Sequence, residues 1–292
     1  MDVSRSTPLR AVVKESLDVN VTRLLQHDTL MRVRDEPEDV HQARVASRRL
    51  RTDLRTFRSV IDPGWRAGIR DDVRWLADHL GRVRDADVLL ARLSRAAAGV
   101  TLEDREAAKE LVATLRTERD AERKALLDVL EGARYRALVG RLADAAALPP
   151  LTEDAEARAA DALPPLVAAT EKHLSDAITT LADEPSDQDL HQVRIRAKRA
   201  RYAAEAAATV CGKPARKLAR SLAALQDVLG GLQDSVVAEQ WLRQAAAGGP
   251  PAWALVAGEL VAGEQHAQAA ARTAWQPLAR RVTSKKLRAW LP

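Results

Sequence analysis

Apolar residues recur every three to four positions along most of this chain, in segments separated by glycine and proline. Such spacing places apolar side chains on one face of an α-helix, and glycine and proline are common where helices end. The pattern predicts nine helices, and Gly132 is expected to break the fourth, while Pro164-Pro165 would kink the fifth. These helices are expected near residues 10–34, 38–61, 64–97, 102–147, 153–183, 187–209, 214–246, 251–275 and 278–290.

Composition supports the same fold class. Aromatic residues make up only 3% of the 292 residues, and alanine, leucine and charged residues fill most positions. This composition favours helices and disfavours β-sheets, which are rich in aromatic and β-branched residues. We therefore expect an all-α protein, large enough for one large domain or two of ordinary size.

Two blocks of sequence occur twice. The block HQARVASRRLR, which begins at His41, recurs as HQVRIRAKRAR from His191, and the block LADHLGRVRD from Leu76 recurs as LQDVLGGLQD from Leu225. The two blocks keep their order and nearly the same offset, 150 and 149 residues, which makes a chance match unlikely. An internal duplication is therefore predicted, with halves of about four helices at residues 1–150 and 151–292.

The first copy carries a row of cationic residues along one arc of its helix. The apolar positions form the adjoining seam, and Asp53 lies roughly opposite the row. The row extends about 26 Å at ~1.5 Å per residue, which is longer than one phosphate group could use. It consists of His41, Arg44, Arg48, Arg51, Arg55 and Arg58.

The second copy has a shorter row, because Glu205 stands where the first copy has Arg55. We expect that end of the row to be truncated or to pair internally. The row of the second copy consists of His191, Arg194, Lys198 and Arg201. The third helix of each half adds basic residues that could extend the same surface, namely Arg66, Arg70, Arg74, Lys213, Arg216, Lys217 and Arg220.

Overall charge does not by itself indicate a polyanion partner, since 46 Lys plus Arg against 41 Asp plus Glu give a formal net charge of +5. A cationic row is most often a solvated helix face, or it could be neutralised across a helix interface by Asp85 and Asp234. The repeated arginines favour an anion site instead, because mere solubility requires neither arginine over lysine nor a row without glutamate.

His41 and His191 allow two interpretations, a packed or capping polar residue and a functional one. Neither has a His, Cys or carboxylate residue three or four positions after it in the chain, so no metal or cofactor is expected. Contact with phosphate is easier to argue. Neighbouring arginines disfavour the imidazolium form, a bound polyanion would favour it, and binding should then tighten as the pH falls through the pKa of that histidine.

Other features narrow the function classes. The single cysteine, Cys211, excludes an intramolecular disulfide, and the chain is expected to be cytoplasmic, without a signal peptide or a membrane span. No phosphate-binding loop, dinucleotide fingerprint or HExxH motif occurs. Asp85 and Asp234 are interpreted as orienting partners of arginines on the second helix of each half, and the tryptophans as core or interface anchors.

With its paired HQxRxxx[KR]RxR and LxDxLGxxxD motifs, the chain resembles the CHAD family, the conserved histidine α-helical domains. The resemblance covers roughly residues 9–290. It implies two four-helix bundles related by pseudo-twofold symmetry, with a central basic groove or pore that binds inorganic polyphosphate. The residues that the resemblance, together with the cationic rows, places at this site are His41, Arg44, Arg48, Arg49, Arg51, Arg55, Arg70, His191, Arg194, Lys198, Arg199, Arg201 and Arg220.

Many members of that family occur with a CYTH domain, a β-barrel that supplies hydrolytic chemistry. This chain has no ExExK pattern of such a barrel. We therefore expect a non-catalytic polyphosphate-binding module, associated with polyphosphate granules and with a CYTH-type enzyme as a partner in trans. Two alternatives stay open: a nucleic-acid-binding helical protein, and a phosphate-transfer or metal-dependent enzyme that uses His41 and His191.

Overall fold

The computed structural model describes residues 6–292, and this part of the chain forms ten α-helices and one short 3₁₀ helix, Glu153–Glu156. Within these residues there is no β-strand, only two isolated bridges. The helices are α1 (Leu9–Val33), α2 (Pro37–Thr56), α3 (Pro63–Ala97), α4 (Arg105–Glu131), α5 (Ala133–Ala147), α6 (Ala159–Thr179), α7 (Asp187–Cys211), α8 (Lys213–Gly248), α9 (Pro251–Val282) and α10 (Lys285–Arg288).

Local sequence signals explain several helix ends. The Asp62 carboxylate accepts a hydrogen bond from the Trp65 amide at 2.7 Å and so caps α3. Ser186 and Asp189 form a reciprocal capping box at the start of α7. Between α7 and α8, Gly212 adopts a φ of +67°, a conformation that glycine reaches without steric cost. The chain therefore turns at Gly212 from one long helix directly into the next.

The predicted helix ends agree with the structure to within about five residues except around proline. The break at Gly132 is confirmed, because α4 ends at Glu131 and α5 begins at Ala133. The fifth predicted helix is instead a 3₁₀ turn followed by α6, which contains both Pro164 and Pro165. The predicted break before residue 278 is wrong. Helix α9 continues through Pro277 to Val282 because its buried face continues with Ala279 and Val282. Packing of these side chains in the core outweighs the backbone hydrogen bond that proline cannot donate.

The buried side chains form two clusters, and each contains residues from both sides of position 150. The larger cluster joins α1, α2 and the first part of α3 to α6, α7 and the first part of α8. The smaller cluster joins the end of α3 and the start of α4 to the end of α8 and the start of α9. The hairpin of α3 and α4 and the hairpin of α8 and α9 thus pack against each other near the loops that join their helices, where they share the smaller cluster. The division into domains at residues 1–150 and 151–292 stays a prediction.

Helices at corresponding places in the two halves contact each other. The pairs α1 and α6, α2 and α7, α3 and α8, and α4 and α9 all pack together. A twofold axis between the halves would produce such pairing of like with like. Trp241 and Trp253 strengthen this interface, because their indole N–H groups donate to Glu118 and Glu110 of α4 at 2.8 and 3.0 Å. Within the described residues, no helix is both long and apolar enough to cross a membrane.

Three acidic side chains are buried within residues 6–150, and Asp53 is the one of them that forms no ion pair with an arginine of the described chain. Asp53, on the core side of α2, accepts hydrogen bonds from Ser16 Oγ at 2.8 Å and from Asn20 Nδ2 at 3.2 Å. Burial raises the pKa of Asp53 to about 7, although both hydrogen bonds act in the opposite direction. This places the only acidic residue of the α2 body away from the cationic row, as the helical wheel predicts.

Asp53 should make stability depend on pH. Because the folded state keeps this carboxyl protonated up to about pH 7 and the unfolded state does not, stability should fall by about 4 kcal/mol from pH 4 to pH 7 and then level off. The substitution Asp53→Asn removes this effect. In thermal unfolding, the stability of the variant relative to that of the native protein should increase as the pH rises from 4 to 8. An unchanged difference between pH 4 and pH 8 would contradict the assignment.

Candidate anion-binding site

The contact between α2 and α7 brings the two cationic rows to one place. Tyr202 of α7 marks the meeting point, because guanidinium groups from both helices lie over its ring. The carbon atoms of the Arg48, Arg49 and Arg201 guanidinium groups lie 5.4, 5.5 and 5.8 Å from the ring centroid. Such contacts between cations and a ring are attractive and hold the arginines in position.

A cavity of about 490 Å³ opens beside this contact, between α2, α6 and α7. Seven basic side chains line it, with hydroxyl groups from Thr52, Thr56 and Thr170, and no carboxylate of residues 6–292 does so. We call it the basic groove. Its basic residues are Arg48, Arg51, Arg55, Arg58, Arg196, Lys198 and Arg199. The groove thus offers hydrogen-bond donors and positive charge from both repeated helices.

Deeper in the same contact, four cations influence one another electrostatically. We call Arg44, Arg48, Arg194 and Lys198 the inner cluster. Burial, followed by the charges of the three arginines, lowers the pKa of Lys198 to about 7. Burial is also the main reason that the pKa values of Arg48 and Arg194 are lowered. The protein therefore holds these side chains where their positive charge is disfavoured.

Two arginines away from this contact show the opposite shift. Hydrogen bonds that Arg119 donates to Asp35 and Asp87 raise its pKa despite its burial, and a hydrogen bond to Asp39 raises the pKa of Arg34. The buried Nε atoms of Arg48 and Arg194 have no hydrogen-bond partner within residues 6–292, and the same holds for the Nε atoms of three other arginines, Arg49, Arg66 and Arg288. Buried polar groups are nearly always hydrogen-bonded, so unpaired donors call for an explanation. An external anion would supply the missing acceptors.

The duplicated glycines make room for one arginine in each half. Arg44 lies against Gly81, donates to its carbonyl oxygen at 3.0 Å and donates to Asp85 at 2.6 Å. Arg194 lies in the same way against Gly230, whose missing Cβ would be 3.5 Å from the arginine Nε. The prediction that Asp85 orients an arginine of α2 is confirmed.

Asp234 differs from its counterpart in the first half. No hydrogen bond joins it to Arg194 within the described residues, although the charge of Arg194 favours the ionised carboxylate. Burial is the larger influence and raises the pKa of Asp234. Within the inner cluster, Arg44 thus has a hydrogen-bonded carboxylate partner in Asp85, whereas Arg194 forms no hydrogen bond with Asp234.

Glu205 occupies the end of the second row, as predicted, and pairs within the protein. It accepts hydrogen bonds from Arg49 of α2 and from Arg201 of α7, both at 2.7 Å. Arg49 and Arg201 therefore lie beside the groove, over Tyr202, with their charge partly balanced. Their main contribution is to hold α2 against α7.

The structure divides the predicted site residues into three groups. Those at the groove or in the inner cluster are Arg44, Arg48, Arg51, Arg55, Arg194, Lys198 and Arg199. Arg49 and Arg201 lie next to them. Arg70 belongs instead to a separate surface depression, where it pairs with Asp71 at 3.3 Å, and Arg220 is exposed on α8 and does not line the groove.

The two histidines lie outside the groove. His41 has a lowered pKa, caused first by burial and then by the charge of Arg84, with Arg48 and Arg44 contributing. The predicted disfavouring of its imidazolium form is confirmed in direction. His191 has a different environment, because its Nδ1 atom forms a hydrogen bond with Gln233 Oε1 at 2.7 Å.

Two kinds of residue that line the basic groove were not predicted from the sequence. Arg196 stands where the first copy has Ala46, so comparison of the repeats drew attention away from it. His173 and Thr170 come from α6, which carries no repeated motif. Only the packing of α6 against α7 brings them to the groove. Arg58, by contrast, was part of the first cationic row.

A family model described as the CHAD domain matches residues 15–243. The chain belongs to the CHAD family. Two solved structures are similar to this CHAD domain. PptA from Streptomyces chartreusis has a TM-score of 0.76 and 26% identity, and the match covers 93% of this chain and 99% of PptA. The CHAD domain of the plant Ricinus communis has a TM-score of 0.75 and 26% identity, and the match covers 96% of this chain and 94% of the plant domain. The family and the all-helical fold inferred from the sequence are confirmed.

Two curated relatives come from Mycobacterium tuberculosis. The uncharacterized protein Rv2226 of strain H37Rv is 30% identical over 246 residues, which cover 80% of this CHAD domain chain and 45% of the relative. The uncharacterized protein MT2285 of strain CDC 1551 is 29% identical over the same length. The chain thus spans about half the length of the curated relatives it matches.

Glu205 should contribute to the stability of this CHAD domain. Replacing it by glutamine leaves Arg49 and Arg201 without a carboxylate, and because the pair is partly exposed we expect a loss of about 1 kcal/mol in the free energy of unfolding. Denaturant unfolding measures this loss. Asp176→Asn, in an exposed pair with Lys172, is the matched control and should change stability by less than about 0.5 kcal/mol. Equal effects of the two substitutions would contradict this role.

Proposed function

We propose that this protein binds inorganic polyphosphate in the basic groove and holds it without turnover. The observation that carries the proposal is the convergence of seven basic side chains from two halves on one cavity, with no carboxylate lining it in the described chain. The family resemblance implies the same ligand.

Electrostatics supports a polyanion as the ligand. Burial disfavours the positive charges of Arg48 and Lys198, which line the groove, so an anion gains both attraction and relief of repulsion on binding. Arginine donates two parallel hydrogen bonds to phosphate oxygens, each charge-assisted and worth about 1.5 to 3 kcal/mol before entropy costs. By analogy with DNA binding, a complex with six to ten such contacts should lose affinity by a factor of ~10³ to 10⁵ when the salt concentration rises from 50 to 200 mM.

The contacts of Tyr202 favour polyphosphate over nucleic acid. Proteins that bind single-stranded nucleic acid usually stack bases on aromatic rings. Tyr202 lines the groove, but three guanidinium groups lie over its ring, and the groove has no other Phe, Tyr or Trp side chain among the described residues. A chain of phosphates without bases matches this lining better. Labelled RNA that displaced long-chain polyphosphate at equal charge concentration would overturn the proposal.

The proposed role is a binding module rather than an enzyme. The groove is lined by donors suited to holding an anion, and the two repeated histidines lie outside it. We further propose that it acts on cytoplasmic polyphosphate granules, with a CYTH-type enzyme supplying hydrolysis in trans. Phosphate release that is lost in a His41→Ala plus His191→Ala variant would contradict the non-catalytic role.

Groove arginines should determine affinity for polyphosphate. We expect the triple substitution Arg51→Gln, Arg55→Gln and Arg199→Gln to weaken binding 10- to 100-fold and to reduce the slope of log affinity against log salt by about 2. All three side chains are exposed, which limits effects on folding. Isothermal calorimetry with polyphosphate of defined length measures both quantities.

The matched control removes the same charge elsewhere. Arg70, Arg74 and Arg220 are also exposed but do not line the groove. Their triple substitution to glutamine should change affinity less than threefold at the same salt concentration. If the two triple variants lose affinity equally, net charge rather than the groove determines binding.

Binding should be coupled to proton uptake above neutral pH. The free pKa of Lys198 is about 7, and a bound polyanion raises it, so affinity should be constant below pH 7 and fall as the pH rises above it. Lys198→Arg keeps the charge at all these pH values and should flatten the dependence between pH 7 and pH 9. Calorimetry in buffers of different ionisation enthalpy gives the proton count. Equal pH profiles for the two proteins would contradict the coupling.

A further inference from the structure

Lys198 stands out among the cations of the site by its chemistry. The chain has nine lysines among 46 basic residues, and Lys198 is the only one on either repeated helix. It replaces Arg48 of the first copy. A guanidinium group stays charged and unreactive in proteins, whereas an amine that loses its proton becomes a nucleophile.

The surroundings of Lys198 favour the neutral amine. Arg194 on its own helix and Arg48 and Arg44 on α2 oppose its charge, and Asp85 on α3 and Asp234 on α8 are the acidic groups that act in the other direction. No carboxylate within residues 6–292 forms an ion pair with Lys198. Its pKa near 7 agrees with this placement. The side chain also lines the basic groove, so a small molecule bound there reaches it.

We propose that Lys198 is a site of acylation by acyl phosphates, small electrophiles that carry an anionic phosphate on an activated carbonyl group. This inference rests on the proposed function, because the groove that holds polyphosphate would also hold the phosphate group of the reagent. It assigns to the site a covalent modification that regulates polyanion binding.

The reaction balances without another reagent. The neutral ε-amine of Lys198 attacks the carbonyl carbon, an N–C bond forms, and the bond from that carbon to the phosphate oxygen breaks. Inorganic phosphate leaves with the bonding electron pair, and the amine proton passes to solvent or to the phosphate. Arg48 and Arg199 line the same cavity and can donate to the leaving phosphate oxygens. The amide formed has no charge, so the inner cluster loses one of its four cations.

The direct test is acetylation of the native chain by acetyl phosphate at pH 7.5, with occupancy at each lysine followed by peptide mass spectrometry. Lys198 should react at least tenfold faster than Lys217, an exposed lysine of α8 that serves as the internal reference. Its rate should approach a plateau above pH 7. A Lys198 rate no greater than that of Lys217 would overturn the proposal.

A second reagent separates recruitment from nucleophilicity. The Arg51→Gln plus Arg199→Gln variant should slow the reaction of Lys198 with acetyl phosphate several-fold but not its reaction with the uncharged N-hydroxysuccinimide ester of acetic acid. Equal slowing with both reagents would show that the groove does not recruit the acyl phosphate and would overturn that part of the inference.

Polyphosphate binding is measured separately, so the two proposals can fail independently. If calorimetry shows polyphosphate binding but Lys198 is not selectively acetylated, the inference fails and the proposed function stands. If Lys198 is selectively acetylated in a chain that does not bind polyphosphate, the proposed function and the regulatory part of the inference fail, whereas Lys198 stands as the acylation site. The regulatory consequence is tested by Lys198→Gln, which should weaken polyphosphate binding about tenfold, whereas Lys198→Arg should keep the native affinity at pH 7. Equal affinities of both variants would contradict regulation.

Discussion

Repulsion between cations held at the contact of α2 and α7 is the constraint on which the site depends. The two helices cannot separate to relieve it, because the opposite seam of each is buried in the larger core, with small residues such as Ala43, Ala197 and Ala200 fully covered. Burial of a charge without a partner is costly, and here the lowered pKa values of Arg48, Arg194 and Lys198 are the signs of that cost. Core packing elsewhere thus keeps these cations close together although they repel one another, and a bound anion would reduce that repulsion.

The two copies of the repeated helix contribute unequally to this arrangement. Arg55 lines the groove, whereas its counterpart Glu205 closes the other end by pairing with Arg49 and Arg201. Lys198 replaces an arginine and gives the site one group that can lose its charge near neutral pH. Arg196 adds a cation where the first copy has alanine. Divergence within the repeat has therefore concentrated open positive charge at one end of the contact and an internal ion-pair network at the other.

Much of this could be read from the sequence because helical periodicity and repeated motifs are local signals. The rows of cations, the pairing of Arg44 with Asp85 and the break at Gly132 all follow from spacing along the chain. What spacing could not supply is packing between distant segments. Arg70 was assigned to the site by its helical position, yet α3 turns it toward Asp71 and a separate depression. Likewise α6 contributes Thr170 and His173 without any motif, and α9 continues through Pro277 because its buried face does.

The most direct test of the account is a crystal structure of the protein with a polyphosphate of defined short length. A continuous row of phosphate groups should occupy the basic groove, with oxygens within hydrogen-bond distance of Arg48, Lys198 and Arg199. The backbone of α2 and α7 should be nearly unchanged, since their core packing already fixes the cations. Phosphate groups bound instead in the depression around Arg70, or on the exposed face of α8 near Arg220, would contradict it.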